Sequence, residues 1–187
     1  VAGLAGYISN GSNVSECFSS GTLSGVRAGG LVTENSHSSI SDSFTTANVY
    51  YTASTSCGGF VGGNGNATIT NCFSAGLLNG PSGNTGGFLG GYFNSNTPGC
   101  FWDKEASGRS DSNGGTGKTT AQMKTQATFT GWDFTPGTGK WTMPSGSYPI
   151  LQWQVESNTA PVITSYDGNA TVALSVPENQ TFAADVN

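Results

Sequence analysis

The chain has 187 residues, 29 of them glycine, with 9% charged residues and a formal net charge of −5. That balance excludes a charge-rich disordered chain, and it argues against a nucleic-acid partner, because phosphate backbones are held by clustered Lys and Arg. No stretch approaches the apolar length of a spanning helix, so no membrane insertion is expected. The charges are also unevenly spread: the 60 residues from Ser43 to Trp102 contain no Asp, Glu, Lys or Arg. A segment of that kind cannot supply an acid/base pair or a phosphate clamp.

The first half of the chain is a repeat. "AGLAG" at 2–6, "GGLVT" at 29–33, "GGFVG" at 58–62 and "GGFLG" at 86–90 place Gly3, Gly30, Gly59 and Gly87 at intervals of 27, 29 and 28 residues. A second signature follows each in turn, as "VSECFSSGTL" from Val14, "ISDSFTTANV" from Ile40, "ITNCFSAGLL" from Ile69, and a partial "GCFW" at 99–102. Apolar residues fall in short runs bounded by Gly, Asn and Ser with no 3.6-residue period, which predicts short strands and tight turns. A unit of this length is too small to bury a core of its own but can do so by stacking on its neighbours. The expected fold is therefore all-β: a β-solenoid, or parallel β-helix, of about four 28-residue turns, one per repeat.

Stacking sets like on like. The expected ladders are aromatic (Phe18, Phe44, Phe73 and Phe101) and aliphatic (Val14, Ile40 and Ile69; Leu23, Val49 and Leu78), with Leu4, Leu31, Phe60 and Phe88 at the Gly-Gly corner. Corner glycines are expected to supply positive φ or to let backbones approach closely. Strict alternation fails in the second signature, where Ile69 and Phe73 share a parity that Cys72 does not. A bend at Thr70–Asn71 could turn both Ile69 and Cys72 inward.

Cys17, Cys72 and Cys100 occupy one repeat position, with Ser43 in the remaining unit, and Cys57 precedes a Gly-Gly pair. The spacings are not those of a zinc site. With turns about 4.8 Å apart, Cys72 and Cys100 lie within disulfide reach of each other, whereas Cys17 and Cys72, two turns apart, do not. The alternative to a Cys72–Cys100 bridge is a set of small buried thiols, since Ser43 takes the place of one of them. The only grouping on the repeats with the makings of acid/base chemistry is Glu34, His37 and Asp42, and polar loop residues of that kind are more often solvated than catalytic. No enzyme activity is expected.

"GGFVGG" and "ITNCFSAG" resemble the GLUG-type repeat of large bacterial surface proteins, in which a "GGLVG" core alternates with an "I-S-N-C-Y/F" element. The resemblance covers about residues 1–102. It implies an extracellular or cell-surface location, an adhesin-like setting and no catalytic residue. Low charge and high Ser, Thr, Asn and Gly point to the same location. The chain opens at Val1 inside a repeat, which suggests a processed product or a piece of a longer protein.

From residue 103 to 155 the pattern changes, and the segment is expected to cap the solenoid, as a similar segment does in repeat adhesins of this type. Thr119 with Gln122 forms a capping box, so a short helix is predicted over Thr120–Ala127. Trp102, Phe129, Trp132, Phe134, Trp141, Tyr148 and Trp153 supply the apolar body of the cap. The tryptophans Trp102, Trp132, Trp141 and Trp153 are also candidates for stacking on sugar rings, with Asp103, Asp111 and Asp133 as hydrogen-bonding partners. This makes glycan binding the alternative to a purely structural role. "GGTGKTT" at 114–120 superficially suggests a phosphate loop, but Ser112 stands where the first glycine is needed and no strand precedes it.

Residues 156–187 read as a linker ending at Pro161, a strand at Val162–Ile163, a turn at Asp167–Gly168 and an alternating strand over Val172–Val176. This tail resembles the opening of a bacterial cadherin-like repeat ending in "VPEN". That resemblance implies a calcium role for Glu178, whose partner carboxylates are absent here; no other cofactor is expected. The expected partners are other copies of the chain, through head-to-tail strand addition into filaments, neighbouring domains of a longer chain, or glycans.

Overall fold

The computed structural model describes residues 1–52 and 55–156, together with two strands at Val162–Thr164 and Thr171–Ala173. The repeats coil into a parallel β-solenoid of three full turns and a partial fourth. One face is a four-stranded parallel sheet of Ala5–Ile8, Val32–Ser36, Val61–Gly65 and Leu89–Phe93. A second stacks Asn13–Ser15, Ser39–Ser41 and Thr68–Thr70, and a third stacks Phe18–Ser19, Phe44–Thr45, Phe73–Ser74 and Phe101–Asp103. Thr22–Gly25, Asn48–Tyr51 and Leu78–Asn79 complete the coil.

The expected ladders are in register. Val14 pairs with Ile40 and Ile40 with Ile69, Leu23 with Val49 and Val49 with Leu78, and Phe18, Phe44, Phe73 and Phe101 follow one another. Ring centroids are 5.3 Å apart for Phe18 and Phe44, 5.0 Å for Phe44 and Phe73, and 4.8 Å for Phe60 and Phe88. These separations are close to the inter-strand spacing, so the rings of these pairs stack on one another.

The ladders do not share one interior. Leu31, Val32, Ile40, Phe60, Val61, Ile69, Cys72, Phe88, Leu89, Cys100 and Trp102 fill the coil, whereas Phe44, Phe73 and Phe101 belong to a separate cluster outside it. The reason is a left-handed residue at one recurring position: Glu16, Asp42 and Asn71 have φ of 52°, 44° and 52°, and Gly99 has 64°. The bend predicted at Thr70–Asn71 thus recurs in every turn. It places Ile69 and Cys72 inside and sends Phe73 out. A second corner repeats the device with Asn10, His37, Asn66 and Asn94, all at positive φ. Corner conformations therefore fall to polar side chains, most of them Asn and Asp, which tolerate the left-handed region better than bulky residues.

The Gly-Gly pairs serve the other purpose. No member of the pairs has positive φ. A Cβ on Gly59 would lie 2.1 Å from the carbonyl oxygen of Gly87, and one on Gly87 would lie 2.0 Å from the Trp102 ring. Across from these glycines Ser19, Thr45 and Ser74 point inward, Ser19 donating to Thr45 Oγ1 at 2.8 Å and Ser74 to the Gly87 carbonyl at 2.8 Å. A Cβ here would overlap backbone or a buried ring, so only glycine leaves room.

The expected end cap divides into two parts. Residues 109–118 lie on the last turn: Gly87 N donates to Asp111 O at 2.9 Å, Asn113 N to Leu89 O at 3.1 Å, and Thr116–Lys118 adds a strand beside Phe101–Asp103. The chain then runs back down the flank of the coil. Met123, Phe129, Trp132, Trp141 and Leu151 cover Phe44, Phe73 and Phe101. Trp153 reaches Phe18 in the first turn, with ring centroids 5.9 Å apart, and Lys140 pairs with Glu16. The capping box of Thr119 and Gln122 is present, but the helix ends at Met123, and a 3-10 turn follows at Gln126–Thr128 after an extended Thr125. In the tail, Val162–Thr164 and Thr171–Ala173 pair antiparallel. The linker, the Asp167–Gly168 turn and Glu178 lie outside the described residues.

Candidate functional site

Three of the four tryptophans considered for sugar stacking offer no ring face to a ligand. Trp102 is inside the coil, wedged between Gly87 and Gly117. Trp132 and Trp141 lie at the centre of the flank cluster, the latter 0% exposed, with ring centroids 4.4 Å apart. Trp132 Nε1 donates to Gly99 O at 2.9 Å, and Trp141 Nε1 points to Asp42 Oδ1 at 3.4 Å. Only Trp153 is exposed, at 42%, and its Nε1 donates to Glu16 O at 3.3 Å. These side chains bind the flank segment to the coil because a Trp carries a large apolar surface and one donor that must be satisfied.

The other anchor of the segment is Asp103. It is fully buried at the end of the Phe101–Asp103 strand, where it caps the helix Lys104–Ser107 by accepting from the Glu105 and Ala106 amides, each at 2.9 Å. Thr120 Oγ1 donates to Oδ1 at 3.0 Å, and the Tyr148 hydroxyl donates to Oδ2 at 2.7 Å. A buried carboxylate with four donors is a satisfied structural node. Burial, and then the Asp103 carboxylate, push the Tyr148 hydroxyl well above the ordinary tyrosine range. The sugar-partner reading of Asp103 is corrected accordingly. Its cue in the sequence was an Asp directly before "KEAS", a helix N-cap pattern. Asp111 pairs with Arg109 at 3.4 Å. Asp133 accepts from the side chain and backbone of Thr135, which hold its carboxyl below the usual range.

All four cysteines carry thiols with no disulfide among them. Cys72 and Cys100 are buried neighbours on adjacent turns, and Cys72 is raised well above the ordinary thiol range, first by burial and then by its hydrogen bond to Cys100. Burial likewise raises Cys17 and Cys57. Such thiols are poor nucleophiles.

Glu34, His37 and Asp42 are not assembled into a constellation. Glu34 pairs with Arg27 at 2.9 Å, the His37 ring lies between Ser36 and Asn66, and Asp42 faces Trp141. The phosphate-loop-like segment is the strand Thr116–Lys118, with Lys118 over the Phe101 ring at 5.8 Å. Among the described residues no cluster of His, Cys, Asp and Glu could hold a metal ion, and no helix is long and apolar enough to cross a membrane.

Comparison with known proteins found no matching family model, no matching curated protein and no matching solved structure.

Proposed function

We propose that the chain is a non-enzymatic structural module of an extracellular bacterial surface protein, acting as a stiff stalk or fibre segment. The observation that carries this reading is the flank segment. It leaves the last turn, runs along the aromatic ladder and closes on Glu16 and Phe18 in the first, so the stacked turns are tied together along their length. Parallel ladders alone resist separation turn by turn, and a clasp across all of them makes separation concerted.

The GLUG-like signatures and the sparse charge support the surface setting. Pulling single molecules between the two ends tests the mechanical role. One rupture event releasing most of the contour length is expected; a series of small, low-force steps, or measurable turnover of polysaccharide or peptide substrates, would sink it.

Self-association is part of the same proposal. Leu4 and Phe18 leave the ladder face of the first turn exposed, and a strand or turn from another copy, or from a neighbouring domain of a longer chain, is the partner that such an edge accepts. Sedimentation velocity over a wide concentration range should show growing species. A concentration-independent monomer removes the filament reading.

A further inference from the structure

Outside the coil, on the face formed by Val32–Ser36, Val61–Gly65 and Leu89–Phe93, there is a surface recess of about 270 Å³. Gly63 and Gly91 form its floor, and Glu34, Ser56, Asn84 and Tyr92 its walls. The floor exists because two successive turns carry glycine where the second turn carries Glu34: the register runs Tyr7, Glu34, Gly63, Gly91. A Cβ on Gly63 would meet the Glu34 carboxylate at 2.6 Å, and one on Gly91 would meet Ser56 Oγ at 2.7 Å. The recess is thus bounded by hydrogen-bonding groups and would be closed by any side chain on its floor.

One exposed phenol ring lines it: Tyr92, 61% exposed. The Ser56 hydroxyl, the Asn84 amide and the Tyr92 hydroxyl make no hydrogen bond among the described residues, unlike the satisfied polar groups of the flank. We propose that this recess is a binding site for a neutral oligosaccharide.

The chemistry selects that class. Arg27 neutralises Glu34, so the recess does not favour a charged ligand, and it has no second carboxylate with which to hold a metal ion. The Val61–Gly65 strand is paired on both sides, and on the edge strand Leu89–Phe93 Asn113 already donates to the Leu89 and Gly90 carbonyls, so strand addition by a peptide is disfavoured here. What remains is a ligand that presents many hydroxyls to a carboxylate, an amide and a hydroxyl and lays an apolar ring face on tyrosine. A single carboxylate in the recess suits holding a sugar rather than cleaving one, since glycoside hydrolysis generally uses a pair. The proposal goes beyond the structural role, and a stalk with no affinity for glycans would leave that role intact.

Saturation-transfer NMR with linear trisaccharides of glucose, galactose, mannose and N-acetylglucosamine tests it. Saturable binding of at least one is expected, with Kd on the order of millimolar for so small a recess. Tyr92→Ala and Asn84→Ala should each weaken it at least tenfold with an unchanged circular dichroism spectrum, while Trp153→Ala leaves it unaltered. No saturable binding of any of the four sugars, binding indifferent to Tyr92→Ala, or binding lost in Trp153→Ala would overturn the proposal.

Discussion

At the scale of single residues, the strictest positions are those where two backbones meet. A methyl group on Gly59 has no space to enter, because the neighbour it meets is a carbonyl oxygen rather than the end of a flexible side chain. Gly59→Ala is expected to cost about 3 kcal/mol or more, measured by urea denaturation. Gly6, with nothing near its Cβ position, should accept alanine with little change. Tyr148 gives a pH-dependent prediction. Its folded-state value is raised by burial and by Asp103, so its contribution is complete below the unfolded value of about 10 and is lost as pH rises towards the folded one. Tyr148→Phe should cost about 1–3 kcal/mol at neutral pH, because it removes the donor to Oδ2 of the buried Asp103 carboxylate, and the deficit should shrink in strong alkali. A deficit that persists there would mean the hydroxyl contributes nothing through its proton.

At the scale of elements, the flank segment matters more than the helix within it. Thr120–Met123 is a single turn, and an isolated helix of that length has no stability of its own. It is held by Thr119, Gln122 and Asp103 and by Met123 in the aromatic cluster. Trp141→Ala, which empties the centre of that cluster, should cost about 3–5 kcal/mol. Ending the chain after Lys118 should expose Phe44, Phe73 and Phe101 together and bring strong binding of a hydrophobic dye; weak dye binding and an unchanged thermal midpoint would show that the ladder does not need its cover.

At the scale of the whole molecule, contacts from Lys140, Trp141 and Trp153 back to Glu16, Asp42 and Phe18 join residues far apart in sequence, 124 positions for Lys140 and Glu16 and 99 for Trp141 and Asp42. A solenoid bound only by neighbouring turns can fray from its ends. Here the ends are linked, so tryptophan fluorescence and far-ultraviolet circular dichroism should report one coincident unfolding transition. Two separated transitions would show that the segment detaches before the coil melts.

Much of the coil could be read directly from residue order. The interval between Gly-Gly pairs named the turn, and the repeated Phe, Ile and Leu positions named the ladders, because in parallel stacking a residue's neighbour is the one a repeat length away. Two features were decided only by tertiary structure. One was direction: a left-handed residue at Glu16, Asp42, Asn71 and Gly99 turns the phenylalanines outward, and a polar side chain in a sequence does not announce its φ. The other was the fate of the aromatics after Phe101. Their composition demanded burial, yet nothing local distinguishes covering the end of a coil from covering its flank. The outward Phe ladder settled that: Trp132 and Trp141 pack on it along the coil's side, while Trp102 turns into the coil.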